Sequence, residues 1–142
     1  MIDEIVWFLL VAGTLFVVLG SWIVVSFLLN SHIDDPHGKA RVTGRCGDTM
    51  EIGLCFKEDR VVKSSYWTDG CLYSLNCVCA AAGLAKGKSP DEILSIDPDV
   101  IQRSIGGLPK DHMHCAQLAA ETLLTAVDDY MLKASRNGTE CA

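Results

Sequence analysis

The chain is 142 residues long, carries a formal charge of −6 and holds seven cysteines. That length allows about one domain, too little for a paired dinucleotide-binding fold or a βα barrel, and the acidic balance argues against nucleic acid as a partner. The hydrophobic fraction of 49% is unevenly spread: 20 of the 25 positions in Ile5–Leu29 are apolar, whereas the 113 residues from Asn30 onward hold 48 such residues, the share of an ordinary water-soluble domain.

Ile5–Leu29 contains no charged residue. As a helix it would span about 37 Å, more than a hydrocarbon core of about 30 Å, so residues 1–29 are expected to form one transmembrane anchor. Trp7 and Trp22 suit its interfaces. A cleaved signal peptide would want a positive start and a small-residue cleavage site, and Asp3 and Glu4 stand there instead. Lys39, Arg41 and Arg45 all follow the apolar run, which places the C-terminal domain in the cytoplasm by the positive-inside rule. The odd number of cysteines agrees with a reducing compartment.

Residues 30–45 contain Pro36, Gly38 and Gly44 and read as a linker with one short edge strand over Ala40–Thr43. Met50, Ile52, Leu54 and Phe56 alternate with mostly polar neighbours, the pattern of a half-buried strand. Glu58-Asp59 is a turn, and Arg60–Thr68, rich in β-branched and aromatic residues, is the returning strand. Asp69 is placed to cap a helix from Cys71 to about Ala85. Ser89-Pro90-Asp91-Glu92 is a capping box, and Asp97-Pro98 starts a further short helix. Gly106-Gly107-Leu108-Pro109 breaks it. From Asp111, apolar residues recur at helical spacing to about Lys133. Strands followed by helices predict an α+β domain over 46–133: a small antiparallel sheet of about three strands packed against several helices, preceded by the transmembrane helix and followed by a flexible tail, 134–142.

Three cysteines stand where structure changes: Cys46 before the first long strand, Cys71 at a helix start and Cys115 in the first turn of the last helix. A helix N-terminus favours the thiolate, the form that binds metal and attacks electrophiles. Asp48 and His114 add an oxygen and a nitrogen donor. Three thiolates with His or Asp suit zinc or the irons of a cluster. Cys55, in a strand, reads as a small buried hydrophobe, and Cys141 as incidental. Cys71 and Cys79 are eight apart and share roughly one helix face, while Cys77 points elsewhere; Cys77 and Cys79 read as ordinary small core residues, with an auxiliary thiol near the metal site or a redox pair as the alternative.

Cys46-Gly47-Asp48-Thr49-Met50, Gly70-Cys71, Gly87-Lys88-Ser89-Pro90-Asp91-Glu92, Leu108-Pro109 through His114-Cys115 and Leu118-Ala119-Ala120-Glu121 together resemble the scaffold family for iron–sulfur cluster assembly, the NifU N-terminal or IscU-like domain. The resemblance covers about 60% of the chain. It implies a non-enzymatic scaffold that builds a transient [2Fe–2S] cluster and passes it to apo iron–sulfur acceptor proteins. The implied ligands of iron and cluster are Cys46, Asp48, Cys71, His114 and Cys115, with zinc as a metal of the cluster-free state. The implied partners are a cysteine desulfurase, which would deliver persulfide sulfur to Cys115, and an electron donor such as a ferredoxin. Asp48, a hard ligand for a soft cluster, would keep that cluster labile.

Four departures from the family pattern stand out. Leu72-Tyr73-Ser74 replaces Gly-Ser-Ala after the middle cysteine, and His112 replaces a lysine, offering an extra imidazole. Leu108-Pro109-Lys110-Asp111-His112 departs from the chaperone-binding segment, which argues against a dedicated Hsp70-type partner. The family's usual N-terminal helix gives way to the apolar run. A zinc-bound sulfurtransferase is the competing reading, but that branch carries an insertion for which the 44 positions from Cys71 to Cys115 leave no room. A degenerate scaffold acting as a membrane adaptor is the third reading, and the complete ligand set argues against it.

Overall fold

The computed structural model describes residues 2–29 and 35–137. The chain divides into two compact units, residues 1–32 and 33–142.

The first unit holds one helix, α1 (Ile2–Leu29). The membrane anchor expected from this run is corrected. Among the described residues, no helix is long and apolar enough to cross a membrane. The single-pass localisation, the membrane as a partner and the cytoplasmic orientation inferred from the anchor fall with it.

The second unit begins with a three-stranded antiparallel meander, β1 (Gly38–Thr43), β2 (Thr49–Lys57) and β3 (Arg60–Thr68), in the order β1-β2-β3. The alternation read from the sequence is the observed one: Met50, Ile52, Leu54 and Phe56 turn to the core and are essentially fully buried. β2 and β3 are joined by Glu58 and Asp59, at φ 51° and 59°. Two consecutive left-handed residues twist a two-residue hairpin in the same sense as its strands. β1 starts two residues earlier than expected. At Gly38 a Cβ would lie 2.2 Å from the carbonyl oxygen of Ala126, so only glycine lets the strand lie against the last helix there. Asp129 completes that seam by accepting the Lys39 N–H at 2.9 Å.

Helices α2 (Leu72–Ala85), α3 (Pro90–Ile93) and α4 (Pro98–Ser104) follow, then a 3₁₀ turn, Lys110–His112, and α5 (Met113–Asn137). The Ser89 capping box forms as read: the Ser89 hydroxyl accepts from Glu92 N–H, and the Glu92 carboxylate accepts from Ser89 N–H at 2.9 Å. Asp97 caps α4 through the N–H of Val100. α2 differs from expectation. Its N-cap is Cys71, and Asp69 instead accepts the N–H of Thr49 at 2.6 Å, tying the end of β3 to the start of β2. α5 runs past Lys133 to Asn137, because no breaker precedes Gly138 and Lys133 pairs with Asp129 one turn back at 2.7 Å. The remainder of the expected tail, 138–142 with Cys141, lies outside the described residues.

The core lies between the inner sheet face and helices α2 and α5. Ala81 and Ala85 of α2 and Ala116, Ala119, Ala120, Leu123 and Val127 of α5 pack with the β2 row. The small residues of α5 let it approach closely, which sets its first turn beside that of α2.

Candidate metal centre

Three short segments meet at one end of this core. The first is the turn after β1. There Gly44 N–H bonds the Asp48 carbonyl at 2.9 Å and Gly47 N–H bonds the Gly44 carbonyl at 3.0 Å, with Gly47 at φ 92°. This turn carries Cys46, exposed, and Asp48, half-buried. The second is Gly70-Cys71 and the first turn of α2. A Cβ at Gly70 would stand 2.5 Å from Asp48 Oδ2 and 2.8 Å from Ser74 Cβ, so glycine is what lets this segment pass the carboxylate. The third is the 3₁₀ turn and the start of α5, with His112, His114 and Cys115.

Ser74 joins the first two segments to the third. Its side chain is fully buried. Its Oγ donates to Asp48 Oδ2 at 2.5 Å and lies 3.4 Å from Cys115 Sγ and 3.6 Å from Cys71 Sγ. The two thiols differ in environment. The Cys71 thiol is pulled below its ordinary value, first by the backbone N–H of Ser74 and then by the Ser74 hydroxyl. The Cys115 thiol is pushed up by burial, with the negative charges of Cys71 and Asp48 adding to the effect and the Ser74 hydroxyl opposing it. Cys71 is therefore the exposed, readily ionised sulfur, and Cys115 the buried, reluctant one.

His112 is the third member of the group. One ligand atom each from Cys71, His112 and Cys115 lie within 4.8 Å of one another. The His112 ring stacks on Tyr73 with centroids 4.2 Å apart. Its Nδ1 is buried without a hydrogen-bond partner, and its Nε2 faces Asp111 Oδ2 at 3.5 Å. Two sulfurs and an imidazole nitrogen fit a soft divalent ion or the iron of a cluster.

Of the expected ligands, then, Cys71 and Cys115 meet directly, and Asp48 reaches both through Ser74. Cys46 and His114 are exposed and stand outside this close group. Sequence reasoning gave Ser74 no role and noted His112 as an extra imidazole without placing it among the ligands. The signal for both was spacing: Ser74 is three residues after Cys71, and His112 three before Cys115, the interval that brings side chains to one side of a helical turn. Of Cys77 and Cys79, read as small core residues, Cys77 is one and Cys79 is not, and it is Cys77 that stands on the side of Cys71 and Cys115. Cys77 is fully buried, and its thiol is pushed up to about 12 by burial and by the charges of Cys115 and Cys71. Cys79 is exposed and hydrogen-bonds Tyr66, raising that hydroxyl. Helical phase counted from Cys71 misleads because Cys71 is extended, at ψ 175°, and the helix begins only after it. Cys55 is buried in β2 as expected, but it is disulfide-bonded and not the free thiol that reading took it for.

The family model described as the NifU-like N terminal domain matches residues 32–137. The chain is 38% identical over 102 residues to the iron–sulfur cluster assembly scaffold protein IscU 1 of Archaeoglobus fulgidus, covering 71% of this chain and 67% of that protein. It is 31% identical over 93 residues to the scaffold protein IscU of Aquifex aeolicus, covering 64% of this chain and 59% of that one. Against the nitrogen fixation protein NifU of Nostoc, identity is 31% over 60% of this chain, but over only 29% of that longer protein. The fold is similar to a crystal structure of a candidate SUF-system scaffold from Fervidobacterium islandicum, with a TM-score of 0.53, 16% identity and coverage of 69% of this chain and 85% of that one.

Proposed function

Because the chain belongs to the family of the NifU-like N terminal domain, we propose that it is a scaffold for iron–sulfur cluster assembly, binding iron and sulfur as cargo, holding a transient [2Fe–2S] cluster and releasing it to apo-proteins. The observation that carries this reading is the convergence of Cys71, His112 and Cys115 within 4.8 Å, at the mouth of a small domain. A carrier needs its cargo where larger partners can reach it, and the exposed turn bearing Cys46 borders the same place.

Cys46, Cys71 and Cys115 supply the thiolates in this reading, with Asp48 as the oxygen donor released when Ser74 lets go. Sulfur arrives from a cysteine desulfurase. A scaffold thiolate attacks the outer sulfur of the donor persulfide, a new S–S bond forms, and the donor cysteine leaves as its thiolate. Two electrons from a donor such as a ferredoxin then cleave the scaffold persulfide to sulfide and thiolate. Cys115 is the acceptor that the resemblance implies; Cys71 is the more accessible sulfur in the cluster-free arrangement.

The test is anaerobic reconstitution of the full chain with ferrous iron, cysteine, a desulfurase and a reductant. Iron and acid-labile sulfide in equal amounts, a visible charge-transfer spectrum and transfer to an apo-ferredoxin are the expected results. Tight zinc with no sulfide under the same conditions would replace the scaffold reading with that of a zinc-bound sulfurtransferase.

A further inference from the structure

The geometry points to His112, through Nδ1, as the imidazole ligand of the metal cargo, completing a Cys71–His112–Cys115 triad. This inference rests on the scaffold reading and names one of its ligands. Three observations carry it.

The first is the orphaned nitrogen. Nδ1 of His112 is buried with no hydrogen-bond partner, and a buried polar atom left unsatisfied costs about 1–3 kcal/mol. A metal ion held by the facing sulfurs of Cys71 and Cys115 removes that cost. The second is the state of the ring. Tyr73 stacks on it at 4.2 Å and holds its plane. Asp111 Oδ2 stands on the Nε2 side at 3.5 Å. A carboxylate there favours the tautomer with hydrogen on Nε2, which leaves the Nδ1 lone pair free, the usual arrangement behind a metal-bound histidine. The third is helical phase. His112 ends the 3₁₀ turn that leads into α5, and the three residues from it to Cys115 run through the first turn of that helix, an interval that makes the two side chains neighbours on one side. His114 immediately precedes Cys115 and diverges from it by about 100° around the helix. It is exposed, and its ring lies 6.1 Å from that of His112.

The role of Tyr73 follows. A bulky residue after the middle cysteine is the platform that fixes the His112 ring, so the two departures from the family pattern, Tyr73 and His112, form one device. Tyr73 is a positioning residue here and touches no metal.

The experiment is anaerobic titration of the full chain with Co(II) alone, in wild type, His112→Gln, His114→Gln and Cys115→Ser. Wild type is expected to show tetrahedral ligand-field bands with thiolate charge transfer. His112→Gln is expected to weaken Co(II) by at least about tenfold, since loss of a supporting group behind a ligand already costs about 10–100-fold, and to alter the ligand-field envelope. His114→Gln is expected to bind within about twofold of wild type. In the Zn(II)-loaded chain, the histidine ring ¹⁵N shifts should mark Nδ1 of His112 as metal-bound. Unchanged binding in His112→Gln, or a loss carried by His114→Gln, overturns the inference. The scaffold reading fails separately, when Cys115→Ser also binds Co(II) as wild type does.

Discussion

Replacing Ser74 by alanine removes the group that ties Asp48 to the two sulfurs. The hydroxyl donates to Asp48 Oδ2 at 2.5 Å from a fully buried position. A hydrogen bond to a charged acceptor contributes about 1.5–3 kcal/mol. Asp48 is half-buried and regains some hydration, so about 2 kcal/mol is the appropriate loss. Alanine returns about 0.5 kcal/mol in helix propensity, leaving about 1.5 kcal/mol of net destabilisation. With an unfolding entropy of about 2.1 cal/mol/K per residue, a unit of this size should lose about 7 °C in Tm. Urea unfolding of the metal-free chain at neutral pH measures the effect directly, with the m-value unchanged. A second reading comes from the same variant. The Ser74 hydroxyl is one of the groups lowering the Cys71 thiol, so the pH midpoint for alkylation of Cys71 should move upward, while the larger effect of the Ser74 backbone N–H persists. A stability change below about 0.5 kcal/mol, or an unmoved alkylation midpoint, refutes the assignment of Ser74 as the link.

In the metal-free chain, iodoacetamide should modify Cys71 at least about tenfold faster than Cys115, because the first thiol is exposed and lowered and the second buried and raised; mass spectrometry of the peptides decides it, and equal rates would contradict the geometry. Cys77 should make the fold alkali-sensitive. Its thiol ionises near 9 when unfolded and only at about 12 when folded, so the unfolded state loses its proton first and stability falls as pH rises through that window, by at most about 1.4 kcal/mol per pH unit. Urea midpoints at about pH 8 and about pH 10 should converge in Cys77→Ala; an unchanged gap assigns the sensitivity elsewhere. Asp48→Ala should hold a reconstituted cluster longer, with slower transfer to an apo-ferredoxin, because the hard ligand is gone; faster release would reverse the role given to Asp48.

The fold was legible where one force dominated. The β2 row reads from alternation alone, because Met50, Ile52, Leu54 and Phe56 have a single buried face available to them. The Ser89 and Asp97 caps read from three-residue signatures whose partners are local. Legibility fails where a partner is distant in the chain. Asp69 has the right chemistry for a helix cap, and nothing local discloses that Thr49 N–H, twenty residues upstream, takes its carboxylate first. The early start of β1 depends on the carbonyl of Ala126 in another element. The apolar run illustrates the opposite limit, since composition gave the helix of α1, and the membrane reading built on its length did not survive.

The metal centre shows the same division at finer grain. Cys71 and Cys115 could be picked out from their places at helix starts, although at Cys115 burial outweighs any help from the helix terminus and raises the thiol. Which imidazole sits beside them depends on its place around the turn. His112 is three residues before Cys115, about 300° around the helix and so about 60° from its side, whereas His114 precedes Cys115 by one residue, about 100° away. The turn Lys110–His112, into which Pro109 at φ −59° leads the chain, delivers His112 to that side. Tyr73, on a different helix, then fixes by stacking what the turn has set in register.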